Sequence, residues 1–218
     1  MIETEERVGP AERTAAGSWG FALAVGYAVF VRFYQAAGGR IGLNGDPGPD
    51  VEWASYVAGL LVLVGGAACL VLTRKQLRTV PRWVPGLAGR EAPRRLVAAL
   101  CVAPTLLGGV LAVAHGAGGG LAKALELAGA GRASIHPDAT APEPVVVDAV
   151  WEVLFYEPWF TAMGVCLLLS AVRYCQARMT PRTVRSVARG AVGASVALAL
   201  VWLLAMRLHW PLDTGLLF

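Results

Sequence analysis

The chain has 218 residues, 56% of them hydrophobic and only 16% charged, with a mean hydropathy of +0.56 and a net charge of +4. A soluble domain carries about 25% charged residues, so the composition excludes an ordinary water-soluble globule. The basic residues gather at the ends of apolar runs instead of lining a groove, which excludes nucleic acid as the partner.

Residues 1–16 hold Glu3, Glu5, Glu6 and Glu12 against Arg7 and Arg13. A secretory leader needs a positive start, so this stretch reads as a cytoplasmic tail and residues 17–218 as a membrane domain. Five apolar runs follow, at about 18–37, 53–73, 96–116, 153–176 and 190–208. About 20 apolar residues at about 1.5 Å each cross a hydrocarbon core of about 30 Å. The sequence therefore predicts an all-α bundle of five transmembrane helices.

The first run ends in Arg32, Gln35 and the Gly38-Gly39 turn, followed by a connection rich in Gly, Pro and Asp. Glu52 and Trp53 open the second run. Its far end leads into Arg74, Lys75, Arg78, Arg82, Arg90, Arg94 and Arg95. The third run contains Pro104, which predicts a kink or an unpaired carbonyl one turn earlier. Gly108, Ala112 and Gly116 give it a small-residue face for helix contact, as Gly190 and Ala194 do on the fifth. His115 closes the third run.

The long connection 117–148 contains a short amphipathic segment, Leu121–Leu127. There Leu121, Leu125 and Ala128 share a face, and Lys123 and Glu126 lie off it. Val145–Tyr156 reads either as the start of the fourth span or as an interfacial helix. The fourth span is apolar from Pro158 onward, and a proline suits a first helical turn. Trp151, Tyr156, Trp159, Trp53, Tyr56 and Trp210 fit an interfacial aromatic belt. A second basic connection carries Arg173, Arg178, Arg182, Arg185 and Arg189. Arg207, His209 and Asp213 end the fifth run.

The two arginine-rich connections fall on one side by parity. Basic loops stay in the cytoplasm, which predicts an inside amino terminus and an outside carboxyl terminus. The same residues would also suit anionic lipid headgroups or a partner. Val29–Gly39 (VFVRFYQAAGG) and Gly109–Gly119 (GVLAVAHGAGG) align at an offset of 80, a pattern of parallel two-helix repeats.

The ionisable residues within the spans collect toward the predicted outer face. Catalytic candidates are Glu157 and Glu152. Binding candidates are Arg32, Gln35, Glu52, His115 and Trp159. A charge at membrane depth must pair or reach water, so Arg32 snorkels outward, pairs with Glu52 or Glu157, or serves a working site. Glu157 is either a functional carboxylate or a helix-start carboxylate favoured by the dipole. His115 is either a proton carrier or a wetted helix-end residue. Glu152 and Glu157 are five apart, which on an α-helix sets them about 140° from each other, so no same-face pair is expected.

No phosphate loop, HExxH, GxSxG, CxxC or CxxCH pattern occurs. Three histidines are too few for a haem or a histidine-rich metal site, and no lysine falls in a predicted span to hold retinal. No metal or other cofactor is expected. Cys69, Cys101, Cys166 and Cys175 lie in or at the end of apolar runs and read as small core residues. Usage rich in alanine, glycine and arginine suits a high-GC bacterium, and hence its inner (plasma) membrane.

Phe33–Leu43 (FYQAAGGRIGL) and Phe155–Phe160 (FYEPWF) resemble the small bacterial membrane proteins grouped as domain of unknown function 3995. That likeness implies an aromatic-rich first helix with a Gly-Gly turn and a later Tyr-x-Pro helix start, and no activity. Val150–Tyr156 (VWEVLFY) is also similar to a Trp-Glu segment of membrane-bound terpene cyclases, which would make Glu152 the candidate acid. Three readings follow. The first is a non-catalytic membrane component whose polar cluster binds lipid or a partner. The second is an embedded enzyme acting on an isoprenoid-like substrate through a carboxylic acid. The third is a small transporter, which at five helices would need a homodimer.

Overall fold

The computed structural model describes residues 15–40, 49–80, 83–84, 86, 88–129 and 150–207. Five long helices make up these residues: α1 (Ala15–Ala36), α2 (Pro49–Thr73), α3 (Arg94–Leu127), α4 (Glu152–Gln176) and α5 (Pro181–Arg207). Each is long and apolar enough to cross a membrane. The shortest, α1 at 22 residues, reaches about 33 Å against a hydrocarbon core of about 30 Å. Among the described residues the fold is thus all-helical, as the hydropathy predicts. Most of the 1–16 tail, the connections 41–48 and 130–149, and His209, Trp210 and Asp213 lie outside the described residues.

Polarity is distributed inside out relative to a soluble protein. Phe30, Leu61, Leu100 and Leu154 point outward, while Arg32, Gln35, Ser55, Thr105, Glu157 and Ser170 are buried. Hydrocarbon does not penalise an exposed leucine, but it leaves a polar group unsatisfied, so Arg32, Gln35, Ser55 and Ser170 turn inward to polar partners.

α1 packs on α2 and α4, and α3 packs on α4 and α5. Glycines set how closely they approach. Gly164 of α4 lies so near α3 that a Cβ there would stand 2.8 Å from Val113 N and 2.9 Å from Gly109 O. The packed small-residue face of α3 is therefore Gly109, Ala112 and Gly116. This corrects the Gly108 register, since a Cβ at Gly108 would meet open space. The predicted Gly190 contact on α5 is likewise unfilled, and α5 docks through Gly118 of α3, against Ala199 and Trp202. The four cysteines are free thiols, and Cys69 bonds Ser170 Oγ at 3.1 Å inside the bundle.

Two boundaries differ from the sequence reading. α3 continues without a break through Leu127, so Leu121–Leu127 is its last two turns and not a separate helix. Its faces are also reversed: Leu121 is exposed, whereas Lys123 and Glu126 are largely covered and pair at 3.7 Å. Lys123 therefore belongs to a long apolar helix, not to a loop. α5 begins at Pro181, so Arg182, Arg185 and Arg189 occupy its first turns instead of the preceding connection.

The prolines are accommodated by π turns. One runs Ala98–Val102, six to two residues before Pro104, and one runs Glu152–Tyr156, six to two residues before Pro158. Proline lacks an N–H and crowds the carbonyl four residues back, and a wider turn relieves both faults. The second π turn joins directly to Glu157, so Glu152–Tyr156 belongs to the fourth span. A third π segment, Ala28–Phe33 in α1, has no proline.

Both arginine-rich connections meet at one end of the bundle. Arg78, buried in the 3₁₀ turn Lys75–Arg78, donates to the carbonyls of Val71 at 3.1 Å and Leu72 at 2.5 Å. It thereby caps α2, whose last carbonyls have no helical partner. Arg78 Nε and Arg178 Nη2 both reach Glu91 Oε1, at 3.1 and 2.8 Å. Both guanidinium groups lie over the Tyr174 ring. Arg74 bonds Ser18 at the start of α1.

Candidate functional site

The candidate residues gather at the opposite end, where α1, α3 and α4 meet. On α1, the buried residues Ala24, Tyr27, Ala28, Val31, Arg32 and Gln35 recur at three- and four-residue spacing, so Arg32 occupies the inward stripe. Its guanidinium donates to Gln35 Oε1 at 3.4 Å and lies 5.5 Å from the centre of the Tyr27 ring. Arg32 therefore does not snorkel outward, and it turns to Gln35 and Tyr27 instead of pairing with Glu52 or Glu157. Ser55 of α2 also donates to Gln35 Oε1, at 3.5 Å. One amide oxygen thus links α1, its own arginine and α2.

On α4, the π turn changes the relation between the two carboxyls. Bonding from i to i+5 brings residues five apart onto adjacent positions, where an α-helix would separate them. The π turn Glu152–Tyr156 thus turns Glu152 toward the side of Glu157, against the divergence expected of an α-helix. Glu157 Oε2 also stands 3.7 Å from His115 Nε2 on α3. His115 is enclosed edge-on by Phe160 of α4 and Trp202 of α5, with ring centres at 4.7 and 5.3 Å. It is a packed residue, not a wetted helix end.

The space for Glu157 is made by glycine. A Cβ at Gly119 would collide with Glu157 Oε1, and one at Gly120 would stand 3.3 Å from Glu157 Cβ. At Gly116 it would sit 2.6 Å from the Glu157 carbonyl oxygen. Glycine costs a helix about 1 kcal/mol relative to alanine, so this run is a local sacrifice that seats a buried acid.

Aromatic rings cover the remaining side. Tyr27 meets Tyr156, Trp159 and Phe160 at 6.5, 6.2 and 4.8 Å. Trp159 donates its indole N–H to the Leu23 carbonyl at 3.0 Å, and Tyr156 is buried. Tyr156 thus belongs to the bundle interior, which corrects its place in the belt, while Trp159 is partly buried. Trp53, Tyr56 and Trp151 are exposed, as a belt requires.

The site therefore unites Arg32, Gln35, Glu152, Glu157, His115 and Trp159. Glu52 stands apart in the first turn of α2, its carboxylate beside Gly38. Tyr27 and the Lys123–Glu126 pair escaped the sequence reading. Tyr27 lies on the stripe that carries Arg32, and that periodicity would have found it. Among the described residues no group of three or more His, Cys, Asp or Glu side chains has the arrangement to hold a metal ion. Comparison with protein-family models, with curated proteins and with solved structures finds no match to this chain, so the site rests on its own geometry.

Proposed function

We propose that this protein is a non-catalytic component of a bacterial plasma membrane, oriented with its arginine-rich end in the cytoplasm. Its Glu157, seated beside His115, fixes α3 against α4. Lipid or a membrane partner is met by the surrounding helix faces. The observation that carries this reading is the fit around Glu157. A methyl group at Gly119 would collide with the carboxyl itself, and one at Gly120 would press on Glu157 Cβ at 3.3 Å, so α3 and not a substrate fills that side of the carboxyl. The resemblance to domain of unknown function 3995 supports the same architecture. The close packing of α1 on α2 and of α3 on α4 suits a duplicated helix pair.

The test compares Glu157→Gln with Glu157→Ala in proteoliposomes holding a pH-sensitive dye. Glutamine keeps the size and hydrogen bonding, so the protein should insert and melt close to the parent. Alanine leaves buried polar groups without partners, a loss of about 1–3 kcal/mol. Neither variant should change proton leakage. A flux in the parent that Glu157→Gln abolishes would sink this reading and establish a transporter.

The burial of Glu157 beside His115 also favours a second reading, an enzyme that protonates an isoprenoid-like substrate through Glu152 or Glu157. That reading requires product formation from a prenyl substrate, lost in both Glu→Gln variants while insertion is kept.

A further inference from the structure

α5 is the least covered helix. Only 6% of its most apolar window is buried, against 28–39% in the other four. Its first turns and its apolar length present two adjoining features. At the arginine-rich end an open depression is lined by Arg182, Arg185, Ser186, Arg189 and Gly190. No carboxylate lines it, and among the described residues Glu91, already held by Arg78 and Arg178, is the acid of that end. Further along, an apolar groove runs between α5 and α3, walled by Val196, Ala199 and Leu203 on one side and Val113, Ala117 and Leu121 on the other.

The two features share one stripe. Arg182, Arg189, Val196 and Leu203 are spaced by seven, which on an α-helix drifts only about 20° per step. From Arg189 to Leu203 the helix rises about 21 Å, close to an extended acyl chain of sixteen carbons. The stripe is cationic where headgroups lie and apolar where tails lie.

We propose that this flank binds one anionic phospholipid, its phosphate on Arg182, Arg185 and Arg189 and one acyl chain in the α3–α5 groove. Arginine suits the phosphate because its guanidinium offers several fixed donors. The groove supplies dispersion contact along the chain. The inference depends on the helices crossing a bilayer and not on the role of the Glu157 cluster, so either fails without the other.

The test is native mass spectrometry of the full chain in detergent, titrated with dioleoyl phosphatidylglycerol, dioleoyl phosphatidylcholine or inorganic phosphate. Each arginine near an anionic headgroup is worth about fivefold, so R182Q/R185Q/R189Q should weaken phosphatidylglycerol binding about a hundredfold. Phosphatidylcholine should bind weakly to parent and variant alike, and millimolar phosphate should not displace the lipid. Val196→Trp, which fills the groove from an exposed position, should also weaken phosphatidylglycerol. R90Q/R94Q/R95Q, at the same end but off the stripe, should retain it. The proposal is overturned by equal affinity for the two lipids, by undiminished binding in the triple α5 variant or in Val196→Trp, by displacement with phosphate, or by equal loss in the R90Q/R94Q/R95Q control.

Discussion

Gly116 and Gly108 lie about two turns apart on α3 and carry opposite constraints. A methyl group at Gly116 meets backbone atoms of α4, the Glu157 carbonyl at 2.6 Å and Thr161 N at 2.8 Å. A methyl group at Gly108 meets nothing within 4 Å. Backbone cannot rotate aside as a side chain can, so Gly116→Ala must push the two helices apart. Overpacking of this kind costs about 1–3 kcal/mol, which exceeds the gain of about 1 kcal/mol in helix propensity. Gly116→Ala should lower the melting temperature in detergent, and Gly108→Ala should leave it level or raise it slightly. A Gly116→Ala protein as stable as the parent would mean that the glycine run does not set the α3–α4 distance. The same logic explains why Glu157 has its place: its carboxyl occupies the volume that alanine at Gly119 would take.

At the scale of elements, Glu91 draws α2 and α4 together, through Arg78 at the end of one and Arg178 at the end of the other. Partial burial alone would raise its pKa. The hydrogen bond from Arg78 and the charges of Arg178 and Arg78 outweigh that, and the carboxyl titrates below its ordinary value. A folded pKa below the unfolded one stabilises the fold fully above the unfolded value of about 4.5 and loses that contribution as pH falls through the folded value. Thermal melts should therefore show stability declining below about pH 4.5 in the parent, with a shallower decline in Glu91→Gln. Identical acid limbs would show that the tie contributes nothing. The elements themselves were largely legible beforehand, because bilayer thickness fixes helix length and apolar runs report it. The altered register of Glu152 and Glu157 was not. Pro158 was visible, but the π turn that absorbs it changes the angular register, and a reading at 100° per residue places the two carboxyls apart. The length of α3 was missed for a related reason. Lys123 and Glu126 look like a solvent-facing strip, yet beside lipid they turn inward and pair.

For the whole molecule, the parity of the spans predicted that the two arginine-rich connections share a side, and the structure brings them into contact through Glu91. In the proposed orientation the charge asymmetry supplies the direction: cationic loops resist translocation, which would keep the end bearing Arg78, Arg94 and Arg178 in the cytoplasm. The chain's own cysteines make this measurable, because Cys69 and Cys175 are buried and Cys101 and Cys166 are half-buried in helices. Each gives little background to a polar thiol reagent. Trp83, strongly exposed in the connection between α2 and α3, and Leu127, exposed at the far end of α3, are suitable reporter positions. A membrane-impermeant maleimide should label Leu127→Cys in intact cells and Trp83→Cys only after permeabilisation. The reverse pattern would invert the molecule, place the Glu157 cluster near the cytoplasmic face, and require a reason beyond charge for holding so many arginines outside.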